Sequence, residues 1–229
     1  MLLLMALLAC PKAPVANEVP ANGPPAMRPV YVLDPAVEER VAARMAELAA
    51  VYDAGRYDDA LATIDRTLAE EPENSWSGTL RAWRAELAFI HRPAPELVVL
   101  EWIQGDAPPV QGTTLFVFFE AWCPHCQQEM PALSAIATQF EPSGLHVVGL
   151  TQQSRGVTSD DVRALLGGAG ASFAVAREDG TLSAAYGVVG IPSYALVKDG
   201  IVIFRGHPSL LSPEALARLL APSPSPAAP

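Results

Sequence analysis

From Asp34 onward the apolar positions recur at three- and four-residue intervals. Val37, Val41, Met45, Leu48 and Tyr52 fall on one face of a helix that Asp34 caps and Pro35 opens. Gly55 ends that helix. A second begins near Tyr57, carries Ala60, Leu61, Ile64 and Leu68 on one face, and stops at Pro72. A third, from Ser75 toward Ile90, opens after Asn74 and offers Trp76, Leu80, Trp83, Leu87 and Ile90 for packing. The pattern then changes. Leu97 to Ile103 is a short apolar strand signal, and Thr114 to Phe119 (TLFVFF) is dense in β-formers with no polar alternation, as expected of a central strand buried on both faces. Helical periodicity returns from Gln127 to Phe140, so Trp122, Cys123, Pro124, His125 and Cys126 sit at a strand-to-helix turn. Beyond it, Leu145 to Thr151 reads as a strand, Ser159 to Leu166 as a helix, Phe173 to Ala176 as a strand and Leu182 to Tyr186 as a short helix. Tyr194 to Val197 and Ile201 to Arg205 form a hairpin about the Lys198-Asp199-Gly200 turn.

The two ends of the chain carry different signals. Met1 to Ala9 is an apolar run far short of the ~18 to 20 residues of a spanning helix. Leu7-Leu8-Ala9-Cys10 resembles the lipobox of bacterial lipoprotein signal peptides, in which a small residue admits the peptidase and the cysteine thiol accepts the lipid. The absence of Lys or Arg before the run departs from that pattern, and a secretory signal cleaved elsewhere or a cytosolic chain with an apolar start stays open. On the lipoprotein reading, residues 1–9 are a signal peptide and 10–33 a lipidated Cys10 with a Pro-rich linker, its prolines at 11, 14, 20, 24, 25 and 29. The tract PSPSPAAP, 222–229, is a similar Pro-rich tail. Fifteen basic against 25 acidic side chains leave a formal charge of −10, which disfavours nucleic acid or an anionic membrane surface as partner. Contact with a membrane is therefore expected through the lipid anchor alone. The three cysteines divide into Cys10 and the pair Cys123 and Cys126.

Residues 34–92 form a helical module. The spacing Gly55, Tyr57, Ala60, Leu68, Pro72 resembles the second half of a tetratricopeptide repeat, over about one repeat. One repeat does not make a self-standing solenoid, so the module is expected to pack on the neighbouring domain, on a partner or on a copy of itself. A generic three-helix extension without a peptide groove is the equal alternative. Its acidic residues, Glu47, Glu70 and Glu71 among them, read as a solvated face.

Chemistry concentrates in residues 97–221. A cysteine at a helix N-terminus meets unsatisfied N–H groups and the positive end of the macrodipole, which stabilise the thiolate that attacks disulfides. The run WCPHCQQEMP resembles the active site of thioredoxin-fold oxidoreductases, with Trp122 before the first cysteine and Pro131 five residues after the second. The downstream YGVVGIPSYALVKDGIVIFRGH is similar to the thioredoxin segment that carries the cis-proline, here Pro192, and Pro213 to Leu220 then corresponds to the closing helix. The implied fold class is α/β: a thioredoxin fold, a mixed central sheet flanked by helices, preceded by the small all-α module. Within that superfamily, Cys-x-x-Cys-x-x-Glu-x-Pro looks most like the membrane-tethered extracytoplasmic TlpA/ResA type. The buried Asp that thioredoxins carry six residues before the first cysteine is Val117 here.

The resemblance implies the roles. Cys123, exposed at the turn, is the nucleophile, and Cys126, one turn into the helix, resolves the mixed disulfide, so the pair cycles through a Cys123–Cys126 disulfide. Pro192 places the Ile191 main chain beside the cysteines to pair with an extended substrate, and Trp122 flanks it. Glu129 either exchanges a proton with Cys126 or is a solvated glutamate. Glu120 is either a second proton handler or a loop charge. The Pro124-His125 dipeptide is the one found in DsbA, a strong oxidant; a partly positive His125 imidazole near the Cys123 thiolate favours a more oxidising pair.

Other readings fit less well. Zinc wants four ligands, and no second C-x-x-C or H-x-x-x-H exists. Gln127 after Cys126 excludes the C-x-x-C-H haem attachment motif. A peroxiredoxin usually shows Thr two or three residues before a lone cysteine. The expected activity is thus thiol–disulfide exchange on protein substrates in the bacterial envelope, without metal or cofactor, as a reductase fed by a membrane thiol carrier. A DsbA-like disulfide donor and a lipoprotein adaptor whose helices recruit partners are the alternatives.

Overall fold

The computed structural model of the protein describes residues 34–221. The signal peptide, Cys10, the linker and the Pro-rich tail fall outside the described residues.

Three helices come first: α1 (Pro35–Asp53), α2 (Tyr57–Glu70) and α3 (Ser77–Leu87). Asp34 caps α1 by accepting the Ala36 N–H at 2.9 Å, and Gly55 turns the chain into α2 at φ +69°, a region open to glycine at no steric cost. The predicted third helix starts two residues later than its periodicity suggests. Asn74 holds the chain in a turn, its Oδ1 accepting the Trp76 N–H at 2.8 Å while its Nδ2 donates to the Glu71 carbonyl at 2.6 Å. Trp76, expected to pack, therefore stands at the turn and is 42% exposed. Glu71, expected on the solvated face, is largely covered and paired with Arg40, but most acidic residues of the module are exposed, Glu47 among them opposite Arg66. Exposed pairs of this kind stabilise little.

Six strands follow: β1 (Glu101–Gln104), β2 (Thr113–Phe118), β3 (Leu145–Thr151), β4 (Ala174–Arg177), β5 (Ser193–Lys198) and β6 (Ile201–Gly206). They form one sheet in the order β1-β4-β3-β2-β5-β6. β2, β3 and β4 run parallel, while β1 pairs antiparallel with β4, β5 with β2 and β6 with β5. The helices between them are α4 (Pro124–Phe140), α5 (Ser159–Gly168), α6 (Thr181–Ala185) and α7 (Pro213–Leu220). The strand expected over Leu97 to Ile103 is shorter than predicted. Leu97 to Leu100 alternates inward and outward, with Val98 66% and Leu100 57% exposed, yet finds no continuous ladder; pairing begins where Glu101 meets Arg177. The β5–β6 turn is tight, with Asp199 at φ +50° and Gly200 at φ +78° as a two-residue hairpin turn of this hand requires.

Every residue of β2 is buried, and its two faces feed two cores. Leu115 and Val117 join Met130, Leu133, Phe204 and Leu216 on one side; Phe116 and Phe118 join Leu182 and Tyr186 on the other. The first core continues without a break into the N-terminal helices through Leu48, Tyr52, Tyr57, Ile64 and Leu80. Tyr57 meets Phe204 of β6 with ring centroids 5.7 Å apart, and Tyr52 packs edge-on against Trp83. The helices and the sheet thus share apolar surface that neither could leave in water at low cost. Leu80 is 1% exposed, so Leu80→Ala should cost about 2–5 kcal/mol. The expected readout is a single thermal transition shifted down in both far-UV circular dichroism and tryptophan fluorescence; two separated transitions would show the helices melting alone.

Candidate active site

The strands β2 and β3 run parallel and β5 runs opposite to them, with Phe118 paired to Leu150 on one side and to Ser193 on the other. That register gathers three segments at one end of the sheet: the turn leaving β2, the loop leaving β3 and the entry to β5. Ligand chemistry in open α/β sheets lies at this carboxyl edge of the parallel strands. Cys123 is the N-cap of α4, with extended backbone at φ −81° and ψ 116°, and Pro124 occupies the first helical turn where its missing N–H costs nothing. The Cys126 N–H donates to the Cys123 Sγ at 3.4 Å. Across the gap, the same Sγ lies 3.9 Å from the Ile191 carbonyl, within reach of a weak S–H donation, and the Ile191-Pro192 peptide is cis.

Cys123 is less open than the sequence suggested. It is 6% exposed, because its sulfur folds back over the helix end and under the Ile191 backbone instead of pointing to solvent. Cys126 is fully buried, so the expected order of accessibility holds. Both are free thiols. Burial pushes the Cys126 thiol up to about 12, and its hydrogen bond with Cys123 and the Glu120 charge act in the same direction. Cys126 is thus held as a buried, protonated thiol, while Cys123 caps the helix that both belong to.

Residues 100–205 match the model of the AhpC/TSA family. The matched residues span β1 to β6, the whole of the sheet up to Arg205. The domain has the thioredoxin fold. With the family match, the paired thiols support a thioredoxin-like oxidoreductase. No curated protein sequence matches the chain. Among solved structures, a secreted Mycobacterium tuberculosis disulfide oxidoreductase homologous to E. coli DsbE is 23% identical, with 48% of this chain and 82% of that one covered and a TM-score of 0.41. A Corynebacterium glutamicum thiol-disulfide isomerase is 22% identical over 56% and 93% of the two chains at a TM-score of 0.47. The thioredoxin domain of a Bacteroides vulgatus thiol-disulfide oxidoreductase is 19% identical over 49% and 82%, at 0.42.

Around this thioredoxin-fold dithiol the other expected residues take distinct places. Trp122 is half-buried and donates its indole N–H to the Ser154 hydroxyl at 2.9 Å, and the Arg155 guanidinium stacks 3.6 Å above its ring. Arg155 carries no sequence motif, so only the structure shows a cation at this position. Glu120 is 6% exposed and both its oxygens are taken, by the Gln152 N–H at 2.9 Å and the Ser154 N–H at 3.1 Å. It ties the loop after β3 to the turn after β2, and the carboxylate charge that bears on Cys126 is this one. Glu129 is half-buried on α4, where its charge adds to burial in raising the Tyr194 phenol. His125 is exposed on the first turn of α4, and among the described residues it makes no hydrogen bond to either cysteine. A cleft of about 260 Å³ lies between Trp122 and Ile191, lined also by the buried Phe118 and the exposed Val189; neither cysteine lines it.

Iodoacetamide applied to the native reduced protein at neutral pH should modify Cys123 and leave Cys126 below about a tenth of its level in mass mapping. Because the Cys126 thiol stays protonated up to about 12, raising the pH to 10 should not bring it in. Equal labelling of both would remove the division of roles.

Proposed function

We propose that the protein performs dithiol–disulfide exchange on protein substrates in the bacterial envelope, anchored through lipid on Cys10. One observation carries the activity: the Cys123 sulfur caps α4 while lying 3.9 Å from a backbone carbonyl that precedes a cis-proline, with its partner thiol buried one turn away. The Ile191 main chain offers an extended peptide a place to pair, which holds a substrate disulfide in line with the sulfur.

The exchange runs in two displacements. The Cys123 thiolate attacks one sulfur of the substrate disulfide; a Cys123–substrate bond forms, the substrate S–S bond breaks, and a substrate thiolate leaves and takes up the proton Cys123 gave away. Cys126 then loses its proton and attacks the Cys123 sulfur, forming the Cys123–Cys126 disulfide and releasing the second substrate thiol. The substrate gains two electrons and two protons, and the enzyme loses them. Proton exchange between Glu129 and the Cys126 region is part of this reading, supported by the half-burial of Glu129 next to Tyr194. Return to the dithiol needs a reductant, for which a membrane thiol carrier is the expected class.

The Cys-x-x-Cys-x-x-Glu-x-Pro pattern supports the reductase direction, whereas Pro124-His125 supports a disulfide donor. Equilibration with defined thiol buffers, followed by tryptophan fluorescence, separates them. A reductase is expected near about −270 mV, and a value near about −120 mV would recast the protein as a donor. Cys126→Ser should accumulate a mixed disulfide with substrate and Cys123→Ser should form none; an adaptor would keep its partner and phenotype in both. For the anchor, Cys10→Ala should move the protein from the membrane to the soluble fraction of the cell, and unchanged fractionation would refute lipidation.

A further inference from the structure

The segment from Tyr186 to Tyr194 carries Ile191 and Pro192 to the dithiol; its end residues Tyr186 and Tyr194 lie in the core, but the stretch between them, Val188 to Ile191, buries little. Val189 is 91% exposed, Gly190 is exposed, and Val188 and Ile191 are only half-buried. Its two ends are instead gathered on one buried cation. Arg205 of β6 is 1% exposed; its Nε donates to the Tyr186 carbonyl at 2.9 Å and its Nη2 to the Gly187 carbonyl at 3.3 Å. Its Nη1 reaches the Ser193 hydroxyl at 2.5 Å and the Tyr194 carbonyl at 3.4 Å. All four acceptors flank residues 188–192, two on each side.

The counter-charge comes from the N-terminal helices. Glu86 on α3 places a carboxylate oxygen 3.8 Å from the Arg205 Nη1, with its side chain 17% exposed. Just past α3, the Phe89 ring presses on Gly187, which stands at φ +62°; a Cβ there would meet that ring at 2.7 Å. A guanidinium buried this deeply is tolerated only because its donors and its charge are matched, and losing either side leaves unpaired polar groups. The planar fork also spans both ends of the segment at once, which a single ammonium cannot do.

We propose that Arg205, with Glu86 as counter-ion, is the positioning residue of the substrate-docking segment: it fixes the Ile191 carbonyl opposite Cys123. The N-terminal helices then form a working part of the redox site. This rests on the exchange reading above, with an extended peptide as the substrate that uses the Ile191 backbone.

The test uses the full chain in its reduced form and the variants Arg205→Lys, Ser193→Ala and Glu86→Gln. Each is assayed against a peptide disulfide that binds in extended form, and against iodoacetamide, a small electrophile that needs no backbone pairing. Arg205→Lys keeps the charge and loses the fork, and should raise KM for the peptide at least tenfold with kcat within twofold, while the alkylation rate of Cys123 stays within threefold of wild type. Ser193→Ala and Glu86→Gln should each raise the peptide KM about threefold with alkylation unchanged. Parallel losses in both assays would mean a purely structural role and overturn the proposal, as would an unchanged peptide KM. If Arg205→Lys loses its cooperative thermal transition, the two milder variants decide by the same criteria. A wild-type chain that is alkylated at Cys123 yet does not exchange with the peptide disulfide refutes the exchange reading itself, before any variant is compared.

Discussion

The redox end of the molecule depends on a register. Phe118, the last residue of a strand buried on both faces, pairs with Leu150 and with Ser193, so three segments distant in sequence must emerge side by side. Shifting β5 by one residue would turn Ser193 and Tyr194 to opposite faces of the sheet and carry Pro192 away from the dithiol. The alternation of Leu115 and Val117 into one core and Phe116 and Phe118 into the other prevents such a slip, since each face has its own complement of partners. Hydrophobic burial thereby sets a distance between a sulfur and a carbonyl that no bond between them enforces.

Two buried charges complete what the register begins, and each does so through backbone groups. Glu120 accepts two N–H groups of the loop after β3, the loop that also receives the Trp122 indole and seats Arg155 over its ring. Arg205 donates to two carbonyls before the docking segment, those of Tyr186 and Gly187, and to a hydroxyl and a carbonyl at the start of β5, those of Ser193 and Tyr194. One side of the dithiol is held by an anion collecting donors and the other by a cation collecting acceptors. In a low-dielectric surrounding an irregular segment must satisfy its polar groups somewhere, and a charged side chain does so with bonds stronger than neutral ones. The irregular segments at the site thereby satisfy backbone polar groups although they carry exposed residues such as Val189.

Much of this was legible in the sequence, and what was missed has identifiable physical causes. The TLFVFF run announced a doubly buried strand, the Asp34-Pro35 pair announced a helix start, and the cysteine spacing with Trp122 and Pro192 pointed to the dithiol and its facing proline. Three features misled or said nothing. Leu97 to Leu100 has the composition of a strand, but a ladder needs a partner, and β4 is only long enough to pair from Glu101. Trp76 lies at the right interval to pack, but the Asn74 turn takes it out of the helix. Arg205 stood in the sequence only as the end of a strand, and a register shift in β6 sets it opposite Ala195, on the face of Val202. It is buried because a segment without neighbours in sequence supplies its acceptors, and no local pattern records such a contact.

The N-terminal helices pose the last question of assembly. A small helical module must bury its apolar face against something, and here it meets the same core that supports β2 and α4. Burial at that junction comes at some polar cost, since the hydroxyls of Tyr52 and Tyr57 lie inside it with no hydrogen-bond partner among the described residues. Tyrosine is nevertheless favoured there by the ring area it buries against Trp83 and Phe204, which a smaller polar residue could not supply. Glu86 then extends the junction from apolar contact to charge, reaching Arg205 on the strand that closes the sheet. Since the Coulomb attraction in that buried setting exists only while α3 lies against β6, the docking of the helices and the shape of the segment facing Cys123 are coupled by one pair of side chains.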